Sequence, residues 1–389
     1  MREKIILQDF NVLLICTSKK WSTVERRAIS DAIFLRNSGS NPTMLCLKNS
    51  QVDKEADKED IPRIYITPKK IPLLFMFDSY FDFKRILNQG DCDIVHTYSI
   101  KHIWPLSLIL KSNIKTPLLC THNEHIKDSH FNIFSRWLLR RVDHILTLSD
   151  EIKDLTRETF LINPKKVLNL GSGIDTVRST REVVDKKIIG CVINNINELH
   201  KLKSVVKTFR VLKSHHNGDL GQLMLSIFLG PRVYQKDKAK RVLTELDYEF
   251  YEGDILLYSL ESKAQELKNL DVFLSLAFDE PLNDFEIMAL MNETPVLFPR
   301  SATRQDLLFK YRWIGESYYA QDTREAKTKL EKILTNYSIY RSALKDYFEE
   351  ITEGHGIDRY ADKFQQIYVR TAAKRQRLVA KKTTRSSLT

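Results

Sequence analysis

The chain has 389 residues, more than one hydrophobic core usually serves, so two domains of ordinary size are expected. Its apolar content of 42% is ample for globular folding, and no apolar run approaches the roughly 20 residues that span a bilayer. A net charge of +11 with a pI near 9.2 favours polyanionic partners: nucleotide diphosphates, phosphorylated glycans, nucleic acid or an anionic membrane surface.

Five cysteines, Cys16, Cys46, Cys92, Cys120 and Cys191, are odd in number and lack paired ligand spacing. They read as buried thiols of a reducing compartment, not as a disulfide framework or metal site. The opening MREKIILQDFNVLLIC is broken by Gln8, Asp9 and Asn11 and makes a poor signal peptide. A cytoplasmic chain is expected, with at most peripheral contact with an anionic membrane on the cytoplasmic face.

In chain order, Asn11 to Cys16 reads as a buried strand, followed by a polar turn to Thr23 and a helix with Val24, Ala28, Ala32 and Leu35 on one side. Gly39 stops that helix, and Thr43 to Leu47 supplies a second strand. Gln51 to Asp60 reads as a solvated connection. The aromatic run Lys69 to Leu87 admits two readings, a helix packed on the sheet or an exposed patch with Lys69, Lys70, Lys84 and Arg85 facing a lipid-linked acceptor or bilayer. Asp93 to Thr97 and Pro117 to Thr121 are further strands, the second ending in Thr121-His122-Asn123-Glu124-His125. For His96 a satisfied core or strand-end histidine is preferred. His125 and His130 remain unassigned. Arg141 to Ser149 holds another strand, a helix follows from Asp150, and Lys166 to Asp175, KVLNLGSGID, runs into a Gly-x-Gly whose glycines permit positive φ.

The second half opens with a strand at Ile188 to Ile193, then Asn194 to Lys201, a helix from Ser204, a strand at Leu223 to Leu229, a helix over Gln235 to Leu246 and a short strand at Tyr248 to Gly253. The stretch Asp271 to Pro299 then reads as strand, acidic loop with Asp279, Glu280 and Pro281, helix from Asp284, and strand from Pro295. An exposed loop with Arg300 and Arg304 leads into amphipathic helices. Strands alternating with helices at this spacing imply parallel sheets covered on both faces, an α/β architecture. The tail from Thr371, with Lys374, Arg375, Arg377, Lys381, Lys382 and Arg385, lacks an apolar face of useful length and is expected to be disordered, open to membrane or nucleic-acid attraction.

These ordered segments resemble the retaining GT-B glycosyltransferases of the GT4 type from Asn11 to about Arg370. The resemblance implies two Rossmann-like domains with parallel sheets facing a central cleft: an acceptor-side domain over 1–179, a nucleotide-sugar domain over 180–357, a helix over 358–370 that packs back on the first domain, and a basic tail over 371–389. Setting Pro295-Val296 on the family's Pro-Val places the first family Glu on Glu280 and the second on Met288. Glu286 stands two residues early, about 200° around a helix turning roughly 100° per residue, so it is a poor substitute. The family's glycine pair before the first helix is replaced by Ser22-Thr23, and its phosphate-gripping Arg by Asn194, while Lys201, or less favourably Lys203, supplies the second charge.

The resemblance further implies that His122 and Glu280 face the donor sugar. Asn194, Lys201, Met288 and the amides of Leu282, Asn283 and Asp284 would line the donor site, and Ser22, Thr23, Gly171 and Gly173 the acceptor side. The expected activity is retaining, metal-independent transfer from a nucleotide-sugar substrate to a glycan or lipid-linked acceptor in cell-envelope polysaccharide synthesis, with no cofactor. The alternative is a catalytically inactive GT-B-shaped subunit that binds a glycan or a partner glycosyltransferase. Nucleic acid is disfavoured, because the basic residues do not interleave with aromatics in a recognisable motif.

Overall fold

The computed structural model describes residues 9–19, 21–66, 72–111, 113–123, 137–174, 186–194, 199–215, 222–230, 254–260, 264–278, 282–320 and 322–386, with the backbone alone at 72–79, 215, 264–265 and 379–386. Two compact units divide at Gly173/Ile174 and Ile357/Asp358, so the chain beyond Asp358 returns to the first unit.

The first unit is built on a parallel sheet of seven strands, β1 (Asn11–Cys16), β2 (Asn41–Leu47), β3 (Arg63–Ile66), β4 (Ile94–Thr97), β5 (Leu118–Thr121), β6 (His144–Thr147) and β7 (Val167–Asn169), in the order β3-β2-β1-β4-β5-β6-β7. β1, β4 and β5 are buried almost throughout because helices cover both faces of a parallel sheet. Helix α1 (Thr23–Asn37) buries Val24, Ala28, Ala32 and Leu35, the side read from the sequence, and ends at Ser38 before Gly39 in the left-handed region. Helix α2 (Gln51–Lys58) occupies the segment expected to be a solvated connection, capped by Ser50 and burying Val52 and Ala56. Helix α3 (Pro72–Gln89) seats Phe83 against the His102 ring with centroids 5.5 Å apart, whereas Phe81, Lys84 and Arg85 are exposed. Both readings of this segment thus keep part of their support; Lys69 and Lys70 lie outside the described residues.

The last helix, Ile357–Ser386, presents Tyr360, Phe364 and Tyr368 at four-residue intervals, and all three are buried in the first unit's core. It does not end at Arg370, and the expectation of disorder from Thr371 fails as far as Ser386. The continuation buries Thr371 and Ala372 and is held beyond them by polar contacts. Arg375 donates from Nε to Asp143 Oδ1 at 2.9 Å and from Nη2 to Oδ2 at 2.8 Å, a bidentate ionic contact that fixes the helix beside β6.

His96 is the satisfied core histidine preferred from the sequence, with Nδ1 2.7 Å from Tyr368 Oη and Nε2 2.8 Å from Thr121 Oγ1. Burial drives its pKa down to about 3, so the folded protein holds it neutral. The unfolded chain binds this proton near pH 6.5 and the folded chain does not. Stability is therefore complete above that value and falls as pH drops toward 3. Between pH 7 and pH 5 this site alone is expected to remove about 2 kcal/mol, read as an acid-side fall in the urea midpoint that is reduced in His96→Gln.

The second unit carries a parallel sheet of six strands, β8 (Lys186–Ile193), β9 (Gln222–Leu229), β10 (Ile255–Ser259), β11 (Val272–Leu274), β12 (Val296–Pro299) and β13 (Gly315–Tyr318), in the order β10-β9-β8-β11-β12-β13. The segments expected as a helix over Gln235 to Leu246 and a strand at Tyr248 to Gly253 lie outside the described residues; the described strand begins at Ile255. Among the described residues no helix is long and apolar enough to cross a membrane.

Candidate functional site

In the second sheet, β8 and β11 are neighbours from which the strand order runs outward in opposite directions. Such a switch point leaves a crevice outside the carboxyl ends of its strands, where α/β sheets bind ligands. Asn194 follows β8 there, and Ser275 to Phe278 follow β11. Lys201 opens the helix Lys201–His215; its Nζ donates to the Leu276 carbonyl at 2.7 Å and lies 4.8 Å from the centre of the Phe278 ring. Two segments 75 residues apart, singled out separately in the sequence, therefore meet at one edge.

Asn194 is half-buried, and Gly230 stands close beside it: a Cβ added at Gly230 would lie 2.9 Å from Asn194 Oδ1 and 3.0 Å from its Cα. Glycine after β9 is what lets these two strand ends approach. Glu280 falls within residues 279–281, outside the described residues, as do His125 and His130.

Beyond the loop, helix Asp284–Met291 begins with Asn283, whose Oδ1 accepts from the amides of Phe285 and Glu286 at 3.0 Å each. The Asn283 amide, expected to face the donor, instead donates to Glu286 Oε2 at 2.8 Å, closing a reciprocal cap. Glu286 is fully buried and is no stand-in for a ribose-binding carboxylate. Met288 packs partly buried on the core of this unit. Leu282 and Asp284 are half-buried at the same helix end.

Arg304 departs most clearly from the sequence expectation. It is not on an exposed loop but on helix Ala302–Lys310, 1% exposed, with its guanidinium on Glu286. Asn283-x-x-Glu286 has the spacing of a capping box, a local signal that the sequence reading passed over; nothing in the sequence linked it to Arg304.

In the first unit the order turns outward between β1 and β4. At their carboxyl ends His102 lies between Thr17 Oγ1 and Thr97 Oγ1, each 2.9 Å from a ring nitrogen, and burial followed by the nearby Lys101 charge lowers its pKa to about 4. No sequence signal singles out this histidine. His122 follows β5, 5% exposed, its amide donating to the Leu146 carbonyl and its ring 6.4 Å from that of Phe160.

Ser22 caps α1, and both its amide and its hydroxyl donate to Glu25 Oε2, at 2.7 and 2.5 Å. Thr23 accepts from Arg26 Nη2 at 3.2 Å. The helix end that carries a glycine pair in the resembled family is thus filled by the protein's own carboxylate. Gly171 and Gly173 have φ of 82° and 61°, the left-handed backbone expected of them, and Arg27 Nη1 donates to the carbonyls of Ser172 and Gly173 at 3.0 Å each.

Among the described residues no three His, Cys, Asp or Glu side chains are grouped to hold a metal ion.

Residues 24–178 match the family model described as Glycosyltransferase Family 4. No curated protein matches the chain in sequence. Among solved structures, a glycosyltransferase from Rickettsia africae ESF-5 superposes with a TM-score of 0.71 at 15% identity, covering 93% of this chain and 98% of its own. Anabaena HepE in complex with UDP-glucose superposes with a TM-score of 0.67 at 11% identity, covering 94% and 99%. Sucrose-phosphate synthase from Thermosynechococcus elongatus does so with a TM-score of 0.68 at 13% identity, covering 94% and 100%. The chain therefore has the GT-B fold and resembles the GT4-type glycosyltransferases, in the sequence of its first domain and in the architecture of both.

Proposed function

We propose that this protein is a retaining glycosyltransferase that moves a sugar from a nucleotide-sugar donor to a glycan or lipid-linked acceptor in cell-envelope polysaccharide synthesis, on the cytoplasmic side of the membrane. The observation that carries the reading is Lys201, a cation at the switch point of the second sheet, hydrogen-bonded to the loop whose next residues include Glu280. The family match over residues 24–178 and the UDP-glucose held by a protein of the same fold agree with it.

In the reaction the bond from the anomeric carbon to the diphosphate oxygen breaks, the acceptor oxygen takes its place, and the acceptor proton leaves with the diphosphate. Negative charge therefore develops on the diphosphate. Lys201 and the N-terminal turn of helix Asp284–Met291 meet that charge, and Glu280 and His122 hydrogen-bond the donor sugar. The proposal assigns no metal and no cofactor to these steps.

A second reading, a GT-B subunit that binds a glycan or a partner enzyme without catalysis, is favoured by one arrangement: the Asn283 amide and the α1 N-terminus are both occupied by the protein's own glutamates.

Calorimetric and thermal-shift titration with UDP, GDP, ADP and CMP distinguishes the two. One nucleotide is expected to raise the melting temperature, since binding to the folded state at 100 times Kd adds about 2.7 kcal/mol. Lys201→Ala is expected to weaken that nucleotide by about 10- to 100-fold, the worth of a charge-assisted contact. If no nucleotide binds at millimolar concentration, catalysis by this chain alone is refuted and the second reading takes its place.

A further inference from the structure

A fully buried ion pair lies between the carboxyl end of β11 and the N-terminal turn of helix Asp284–Met291. Glu286 is 0% and Arg304 1% exposed, and the guanidinium grips the carboxylate as a fork, Nε to Oε1 at 2.9 Å and Nη2 to Oε2 at 3.1 Å. Each carboxylate oxygen accepts one further bond: Ser275 Oγ donates to Oε1 at 2.5 Å, and the Asn283 amide to Oε2 at 2.8 Å. Ser275 is the first residue after β11 and Asn283 the last before the helix. One carboxylate therefore ties together both stems of the loop that carries Glu280. Tyr318 on β13 adds a third tie, its hydroxyl donating to the Ser275 carbonyl at 3.0 Å.

Stability alone is a poor reason for such a pair. Desolvating two charges is costly, and apolar residues of similar volume in the same place are often neutral or stabilising. What the ion pair provides that apolar residues do not is direction: two hydrogen bonds from Arg304 fix the carboxylate, and the two from Ser275 and Asn283 set where the stems stand. We infer that Glu286 and Arg304 are positioning residues, which hold the carboxyl end of β11 and the N-terminus of helix Asp284–Met291 in register for the donor without touching it. The inference rests on the glycosyltransferase reading above.

The decisive variant is Glu286→Leu with Arg304→Met, which removes both charges and keeps the volume. Hydrogen exchange of peptides spanning 272–288 in the nucleotide-free protein is expected to quicken about tenfold as the stems loosen. Transfer is expected to lose about 100-fold in kcat, the effect of roughly 1 Å of misplacement, with KM for the donor within roughly threefold of wild type. Arg304→Lys keeps the charge and loses the fork, and is expected to fall between the two; it also decides the matter if the double variant does not fold.

Unchanged exchange overturns the inference, and so does faster exchange with kcat retained. A lowered melting temperature with unchanged kcat overturns it as well, leaving a purely structural pair. If the wild type neither binds a nucleotide nor transfers a sugar, the functional reading fails by itself; the exchange measurement then decides whether the ion pair sets the loop, with unchanged exchange refuting that.

Discussion

Replacing Asp31 by alanine is expected to lower the unfolding free energy by about 3 to 5 kcal/mol, because it strands a buried cation. Asp31 is fully buried on α1 and accepts from Arg27 Nε at 3.1 Å, Tyr98 Oη at 2.6 Å and Tyr360 Oη at 2.8 Å. Burial pushes its carboxyl pKa up, against the Arg27 charge and the two tyrosine hydroxyls that pull it down. Arg27 also stacks over the Tyr360 ring at 4.1 Å, so the carboxylate organises α1, the end of β4 and the last helix together. Asp31→Asn, which keeps an acceptor for the tyrosines, should lose less than the alanine variant. Urea unfolding followed by circular dichroism measures both; a loss under about 1 kcal/mol in Asp31→Ala would show that packing of Tyr360, Phe364 and Tyr368 alone holds the last helix.

Gly173→Ala is expected to cost roughly 2 to 5 kcal/mol, from a left-handed backbone penalty of about 1 to 2 and an overpacking penalty of about 1 to 3. At φ 61° an added Cβ would lie 2.4 Å from Arg27 Nη1 and 2.7 Å from Tyr360 Cγ. The guanidinium can swing aside, but only by giving up the carbonyls of Ser172 and Gly173. The ring is locked between Arg27 and the Phe364 ring, 5.6 Å away. Differential scanning calorimetry reads the change. A variant that melts with wild type would mean that the backbone here relaxes out of its left-handed conformation at no cost.

Much of the architecture was legible because it depends on local spacing. Apolar runs at 11–16, 94–97, 188–193 and 272–274 became strands of parallel sheets, and Val24, Ala28, Ala32 and Leu35 became the buried side of a helix. Glycines 171 and 173 declared their backbone through their lack of a side chain. The exposed-loop expectation for Arg304 failed because its partner, Glu286, is 18 residues earlier and a sheet strand intervenes. A charge that looks solvent-bound in sequence is buried when the fold brings a carboxylate to it. The tail failed for the same reason: Arg375 and Asp143 are 232 residues apart, and their pairing helps carry the helix on past the buried Tyr360, Phe364 and Tyr368.

The candidate site divides along the same line. Lys201 was recognisable by its place after a strand, but that its ammonium meets the Leu276 carbonyl follows only from β8 and β11 lying side by side. His102, between Thr17 and Thr97, carried no signal at all, because three ordinary residues, two from the ends of β1 and β4 and one from the short helix after β4, form a polar cluster only once β1 and β4 pair.

By itself, then, the sequence determined most of the strands, the buried side of the first helix and the glycine turns, since hydrophobic period and backbone freedom act within a few residues. Only the tertiary structure decided which charges and hydroxyls are partners, since strand order sets those distances and the loss of water on burial makes each pairing obligatory.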